Sequence, residues 1–235
     1  RNVIQKNDTH HDMAYQKLVQ EIKENRYAVF LQPKANCSDA SVSGAEALIR
    51  YFDTAGKLVR PDSFIPFFES EGLVSEIDLF VLDEVNKILQ SWMDQGKKLL
   101  RISLNFSRAT MMDDKLFEKI EEIQKKYTVP REYIEIEMTE TLGNIDEDIL
   151  IRVGKKIASF GYGLTLDDFG ARYSNLSILT SMPFNVLKLD KTLVRDIFFN
   201  SRTKIVVQSF LLTCSNLGIH SIAEGVENQE QFEAV

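Results

Sequence analysis

Cysteine is almost missing from this sequence: Cys37 and Cys214 are the only two among 235 residues. So few exclude a disulfide framework of the secreted kind, and neither stands in a C-x-x-C pair. Both are read as free thiols of a reducing cytoplasm. Histidine is scarce too, and His10, His11 and His220 carry no functional reading, lying in a polar leader and at the start of an apolar run. No apolar run is long enough to span a membrane, and no signal-peptide pattern opens the chain. A membrane-anchored parent protein stays compatible with this, because the chain reads as an excised domain. No Pro/Gly-rich linker or low-complexity tract divides it. Positive charge is in deficit, with a formal net charge of −7. That excludes long-range attraction for a nucleic-acid polymer or an anionic membrane. An anionic ligand would need a local offset, for which a bound cation is the natural candidate.

What is present is ordinary for a globular protein: 44% hydrophobic and 27% charged residues. Residues 1–25 read as a linker and connecting helix: a polar leader to 12, then Tyr15, Leu18, Val19 and Ile22 at helical spacing. From residue 26 onward a repeat begins. Short apolar runs lie at 27–33, 43–51, 100–106, 133–138, 163–168, 186–189 and 219–223. Helical patterns at 77–94, 115–126, 146–159, 174–181 and 201–217 fall between most of them, and a last helix begins near Gln229. Strands alternating with helices predict a parallel α/β sheet, here a TIM-like (β/α)8 barrel. Seven runs are one short of a closed barrel, so the domain at 26–235 is expected to lack its last strand at the C-terminal end. Between the first two runs the connection is too short for a parallel crossover, which needs about a dozen residues. The first strand is therefore expected to be antiparallel.

In such barrels the reacting groups come from the C-terminal ends of the strands. Those ends read Glu46-Ala47-Leu48, Asn105, Glu135-Ile136-Glu137, Asp167-Asp168, Lys188-Leu189-Asp190 and Glu224-Gly225. Strand side chains alternate, so Asn105, Glu137, Asp167, Lys188 and Glu224 can each take the interior face. Glu135 shares Glu137's face at a deeper level and has no assigned role. Like-charged acids at one mouth would raise each other's pKa, and a hard divalent cation resolves the conflict. Oxygen donors suit Mg²⁺ or Mn²⁺, and a set without His or Cys argues against zinc. Any single strand-end acid is more often solvated or a helix cap, and Asp-Asp before Gly is often a turn. A succession of strands ending this way is what that plainer reading does not explain.

These residues, in this order, resemble the EAL domain, the family of cyclic di-GMP-specific phosphodiesterases. The signature Gly44-Ala45-Glu46-Ala47-Leu48-Ile49-Arg50 is joined by Gln32-Pro33, Phe64-Ile65-Pro66, Asn105, Glu137-Met138-Thr139-Glu140, Asp167-Asp168-Phe169-Gly170, Lys188-Leu189-Asp190 and Glu224-Gly225-Val226-Glu227. The resemblance implies a barrel with an antiparallel first strand and metal-dependent hydrolysis of cyclic di-GMP to linear pGpG. It implies Glu46, Asn105, Glu137, Asp167 and Asp168 as ligands of two Mg²⁺ or Mn²⁺ ions. Lys188 and Glu224, with Glu46, would be catalytic, the first two orienting the attacking water. Gln32, Leu48, Arg50 and Asp190 would hold the nucleotide, and Glu140 would steady the loop after Asp168. A homodimer and an upstream GGDEF or sensor domain are further implications.

Several positions depart from the family pattern. Arg172 stands where the loop after Asp168 has a glycine, and Tyr51 where tryptophan is usual. Two rival functions keep the same residues: an EAL domain that binds cyclic di-GMP without cutting it, and a barrel enzyme that forms an enolate with acids, a lysine and Mg²⁺. The paired Asp167-Asp168 and Arg50 fit a phosphodiester better than an enolate.

Overall fold

The computed structural model describes residues 2–139, 147–171, 176–197 and 199–234. The chain forms two compact units, 1–34 with 44–129, and 35–43 with 130–235.

In the first unit, helix α1 (Asn2–Lys23) buries Ala14 and Leu18 and half-buries Ile22. This stripe packs against Tyr27, Phe64, Phe68, Leu73, Val74 and Ile77. The helix starts well before the expected Met13. Once a turn is nucleated, each further residue adds a hydrogen bond at little cost, so a polar leader can prolong it. Strands β1 (Tyr27–Ala35) and β2 (Val42–Phe52) follow. The Phe52 N–H donates to the Arg26 carbonyl at 2.8 Å, placing the start of one strand beside the end of the other. They are thus antiparallel, as the short connection requires. A two-residue strand β3 (Leu58–Val59) pairs antiparallel with β2, setting Val59 opposite Tyr51. It is too short to leave a periodic signal.

Helices α2 (Ile65–Ser70) and α3 (Val74–Asp94) lead to strand β4 (Arg101–Asn105), which is parallel to β2 with Glu46 opposite Ser103. Close strand approach explains Gly44, where a Cβ would lie 2.8 Å from the Arg101 carbonyl oxygen. Helices α4 (Arg108–Met111) and α5 (Leu116–Gln124) complete the unit. On α3, Ile77, Val81, Leu82, Val85 and Leu89 are buried at helical spacing. Asp78 is buried with them. Its Oδ2 accepts from the Ser107 N–H at 2.7 Å and the Thr110 hydroxyl at 2.6 Å. Burial pushes its carboxyl up to about 6 despite those hydrogen bonds.

The second unit alternates strand and helix: β5 (Ile134–Thr139), α6 (Glu147–Ser159), β6 (Gly163–Phe169), α7 (Leu176–Ser181), β7 (Val186–Leu189), α8 (Lys191–Asp196), α9 (Ser201–Asn216), β8 (His220–Ala223) and α10 (Gln229–Ala234). The strands are parallel in that order, with Glu137 opposite Thr165, Leu166 opposite Leu187, and Lys188 opposite Ile222. Ile136, Leu164, Leu166, Leu187 and Leu189 form their buried apolar set. All seven apolar runs of the sequence are strands, and the short α2, α4 and α8 are helices its periodicity did not mark. Cys37 and Cys214 are free thiols. Among the described residues no helix is long and apolar enough to cross a membrane.

Candidate functional site

In the second unit the ends of four strands converge on one ammonium group. Lys188 Nζ on β7 stands 2.9 Å from Glu137 Oε2 on β5, 3.0 Å from Asp167 Oδ2 on β6 and 2.8 Å from Glu224 Oε1 just past β8. Lys188 is 2% exposed and Glu137 0%, so water screens their ion pair little, while the pair with Glu224 is the one nearest solvent. The strand-end residues 137, 167, 188 and 224 do share one face, as alternation predicts.

Alternation by itself would send Asp168 to the opposite face from Asp167. A β-bulge changes this. Between Leu166 and Phe169 the β6 chain takes three steps while β7 takes two, from Leu187 to Leu189. The extra residue falls at the paired acids, and Asp168 has φ 55, a left-handed conformation that Asp tolerates better than most side chains. Asp167 Oδ1 accepts the Asp168 N–H at 2.7 Å, which holds this turn. As a result, carboxylate oxygens of Asp167, Asp168 and Glu224 all lie within 4.8 Å of one another.

The electrostatics follow from burial. Desolvation raises the Asp167 carboxyl to about 7; Lys188 opposes this rise, and Glu137 and Glu224 add to it. Asp168 is also raised, by burial first and then by Glu224 and Asp190. One ammonium among these carboxyls leaves acid in excess, which a divalent cation would relieve. The donor set is all oxygen and matches a hard cation, with no nitrogen or sulfur donor of the zinc type in this group.

Asp190, expected to touch nucleotide, caps helix α8. Its Oδ1 accepts the Thr192 N–H at 2.8 Å and also the Thr192 hydroxyl. Its own N–H donates to the Phe169 carbonyl at 3.1 Å, tying it to the bulge.

The first unit holds the other predicted residues. On β2, Ile49 and Tyr51 pack against the core cluster, so alternation gives Glu46, Leu48 and Arg50 the other face. Asn105 Nδ2, at the end of β4, donates to Glu46 Oε1 at 3.2 Å. Gln32 on β1 is exposed. The Arg50 guanidinium lies over the Phe30 ring at 5.7 Å from its centroid, and its Nη1 donates to the Ile49 carbonyl at 2.8 Å. Lys34 Nζ donates to the Ser103 hydroxyl at 2.6 Å, where Ser103 is the register partner of Glu46. Phe30 and Lys34 went unremarked in the sequence. Their spacing of two on either side of Gln32 was the signal that could have found them. Glu140 and Arg172 lie outside the described residues.

A fold of alternating strands and helices, with an oxygen-donor cluster at parallel strand ends, places the chain in the class of α/β barrel proteins that carry their site at the C-terminal ends of the strands. Comparison with known proteins then identifies the family. The family model for the EAL domain matches residues 15–235, and the chain belongs to that family. Its fold is accordingly the TIM-like barrel with an antiparallel first strand. It is 30% identical to the signaling protein YkoW of Bacillus subtilis over 91% of this chain and 27% of that protein. With the cyclic di-GMP phosphodiesterase PA2567 of Pseudomonas aeruginosa it shares 29% identity over 89% of this chain and 35% of the relative. The chain thus spans about a quarter to a third of these curated relatives. Among solved structures, the c-di-GMP complex of the PaMucR phosphodiesterase superposes with a TM-score of 0.84 at 26% identity, covering 94% of this chain and 89% of that one.

Proposed function

We propose that this EAL domain hydrolyses cyclic di-GMP to linear pGpG, using Mg²⁺ or Mn²⁺ as a pair of ions. The observation that carries the reading is the group Asp167, Asp168 and Glu224 facing Lys188: acids held in excess at parallel strand ends, all offering oxygen. Support comes also from relatives named as cyclic di-GMP phosphodiesterases.

In this reading Glu137, Asp167 and Asp168 are metal ligands, joined by Glu46 and Asn105, whose assignment rests on the ordered family motifs. Bound divalent ions supply charge neutralisation at the phosphodiester and lower the pKa of a coordinated water. Lys188 contributes a fixed positive charge near the scissile phosphate and holds Glu224 by its ion pair. Glu224 orients the attacking water through its second carboxylate oxygen. Arg50 takes a phosphate oxygen of the nucleotide, in exchange for its present bond to a backbone carbonyl. Gln32, Leu48 and Asp190 complete the nucleotide contacts, and Glu140 steadies the loop beyond Asp168. The domain acts as a homodimer, downstream of a GGDEF or sensor domain in its parent protein.

Incubation of the protein with cyclic di-GMP and either metal, followed by chromatography, is the direct test. Release of pGpG that disappears in Glu46→Ala is the expected result. Tight binding with no pGpG at any metal concentration would leave a cyclic di-GMP receptor instead. Light scattering at high concentration checks the dimer, and a fully active monomer would count against it.

A further inference from the structure

The left-handed backbone at Asp168 is unfavourable for any residue with a side chain, and such conformations persist only where the surroundings over-determine them. Three contacts hold the residues that follow it. The Phe169 carbonyl accepts the Asp190 N–H at 3.1 Å. Gly170, with φ 91, lies so close to Leu193 of α8 that a Cβ there would come within 2.0 Å of Leu193 Cδ1. The third contact comes from farther along the chain. The Phe169 ring lies flat against Phe210 of α9, with centroids 4.3 Å apart and planes 8° from parallel. Phe169 is buried and Phe210 half-buried, so the stack presses the bulge onto a sixteen-residue helix.

From this geometry we infer that Phe210 is a positioning residue for the metal-binding acids: by stacking on Phe169 it holds the bulge that aims Asp167 and Asp168 at one point with Glu224. Phe210 offers no ligand atom, so it acts through Phe169 alone. Without the flat ring face, Phe169 gains freedom to tilt and Asp168 can relax toward ordinary strand geometry. Alternation would then turn its carboxylate away from Asp167. Groups hydrogen-bonded to metal ligands change metal affinity by about 10–100-fold when altered, and a stack that acts one step further out falls at the low end of that range. The inference rests on the proposed metal role of the acid cluster.

Mn²⁺ titration followed by electron paramagnetic resonance tests it without reference to turnover. Phe210→Leu keeps apolar bulk but loses the ring face, and is expected to weaken Mn²⁺ binding by about tenfold. Phe210→Tyr keeps the face and restores wild-type affinity. Phe169→Leu removes the other half of the stack and falls as far as Phe210→Leu, and the double variant falls no further. Cleavage lost in Phe210→Leu returns at high Mn²⁺. Wild-type affinity in Phe210→Leu, or an equal loss in Phe210→Tyr, overturns the inference while leaving the metal site standing. Absence of Mn²⁺ binding by the wild-type protein would instead overturn the reading of the cluster itself.

Discussion

The backbone N–H of Asp168 donates to the side chain of the residue before it, Asp167, at 2.7 Å. The first acid of the pair therefore fastens the turn that aims the second. Two requirements meet at Asp168: a backbone that tolerates φ 55 and a carboxylate directed at Asp167 and Glu224. Substitutions separate them. Asp168→Asn keeps the tolerance, since Asn is as much at ease there as Asp. Its melting temperature is expected to match or exceed that of the wild type without metal, while pGpG production is lost. Asp168→Val fails on both counts, with a stability loss of about 1–3 kcal/mol. Thermal melting beside a cleavage assay distinguishes the two.

Lys188 neutralises acids from three strand ends, and removing it leaves buried charge without its partner. Lys188→Met is expected to lower the stability of metal-free protein by about 3–5 kcal/mol. A divalent cation should replace part of the missing charge. Saturating Mn²⁺ is therefore expected to raise the melting temperature of Lys188→Met more than that of the wild type. Equal shifts in the two proteins would argue that no cation sits among these carboxylates. Under the proposed function, cleavage is expected to be lost in either case, because no ammonium remains near the phosphate.

Metal binding should depend on pH through Asp167, whose carboxyl is raised to about 7. A cation binds the carboxylate and must displace the proton. Mn²⁺ affinity is expected to climb as pH rises toward 7 and then level off, with proton release measurable by calorimetry in buffers of different ionisation enthalpy. Without metal the sign for folding is opposite. A carboxyl raised in the folded state contributes stability that is present below its unfolded pKa and is lost as pH rises through 7. Metal-free, EDTA-treated protein should accordingly lose stability between pH 4 and 7, and Asp167→Asn should flatten that loss.

Asp78 provides the same linkage away from the acid cluster. Its carboxyl, raised from 3.8 to about 6 by burial, prefers the protonated form in the fold. It contributes stability below about pH 4 that is lost as pH rises through 6, by about 3 kcal/mol for a shift of this size. Asp78→Asn, with an amide oxygen to accept from Ser107 and Thr110, should remove this dependence. Urea unfolding at pH 4 and pH 7 measures the difference.

Much of the fold was legible because its elements are periodic. Each of the seven apolar runs is a strand, and the reason is clearest in the second unit, where β5, β6 and β7 are buried parallel strands and so are apolar over most of their length. Glu137, Lys188 and Glu224 could be placed at strand ends from chain order alone. Other features left no such mark. Strand β3 has two residues, below the reach of any periodicity. Helix α8 is short and begins from Asp190, whose side chain reads equally as a ligand and as a cap until its hydrogen bonds to Thr192 are known. Lys34 and Phe30 share a face with Gln32, yet only their contacts with Ser103 and Arg50 give them a place.

By itself the sequence determined the alternating strands and helices, the antiparallel start, the family and the order of its acids. Each is a property of local periodicity, connection length or linear motif, and these survive in one dimension. Tertiary structure decided that consecutive Asp167 and Asp168 point to one place, that Lys188 is shared among three carboxylates, and that Phe210 lies flat on Phe169. A bulge is defined by the register of two strands, and an ion pair or ring stack by side chains distant in the chain. Such facts exist only once the strands have been laid side by side.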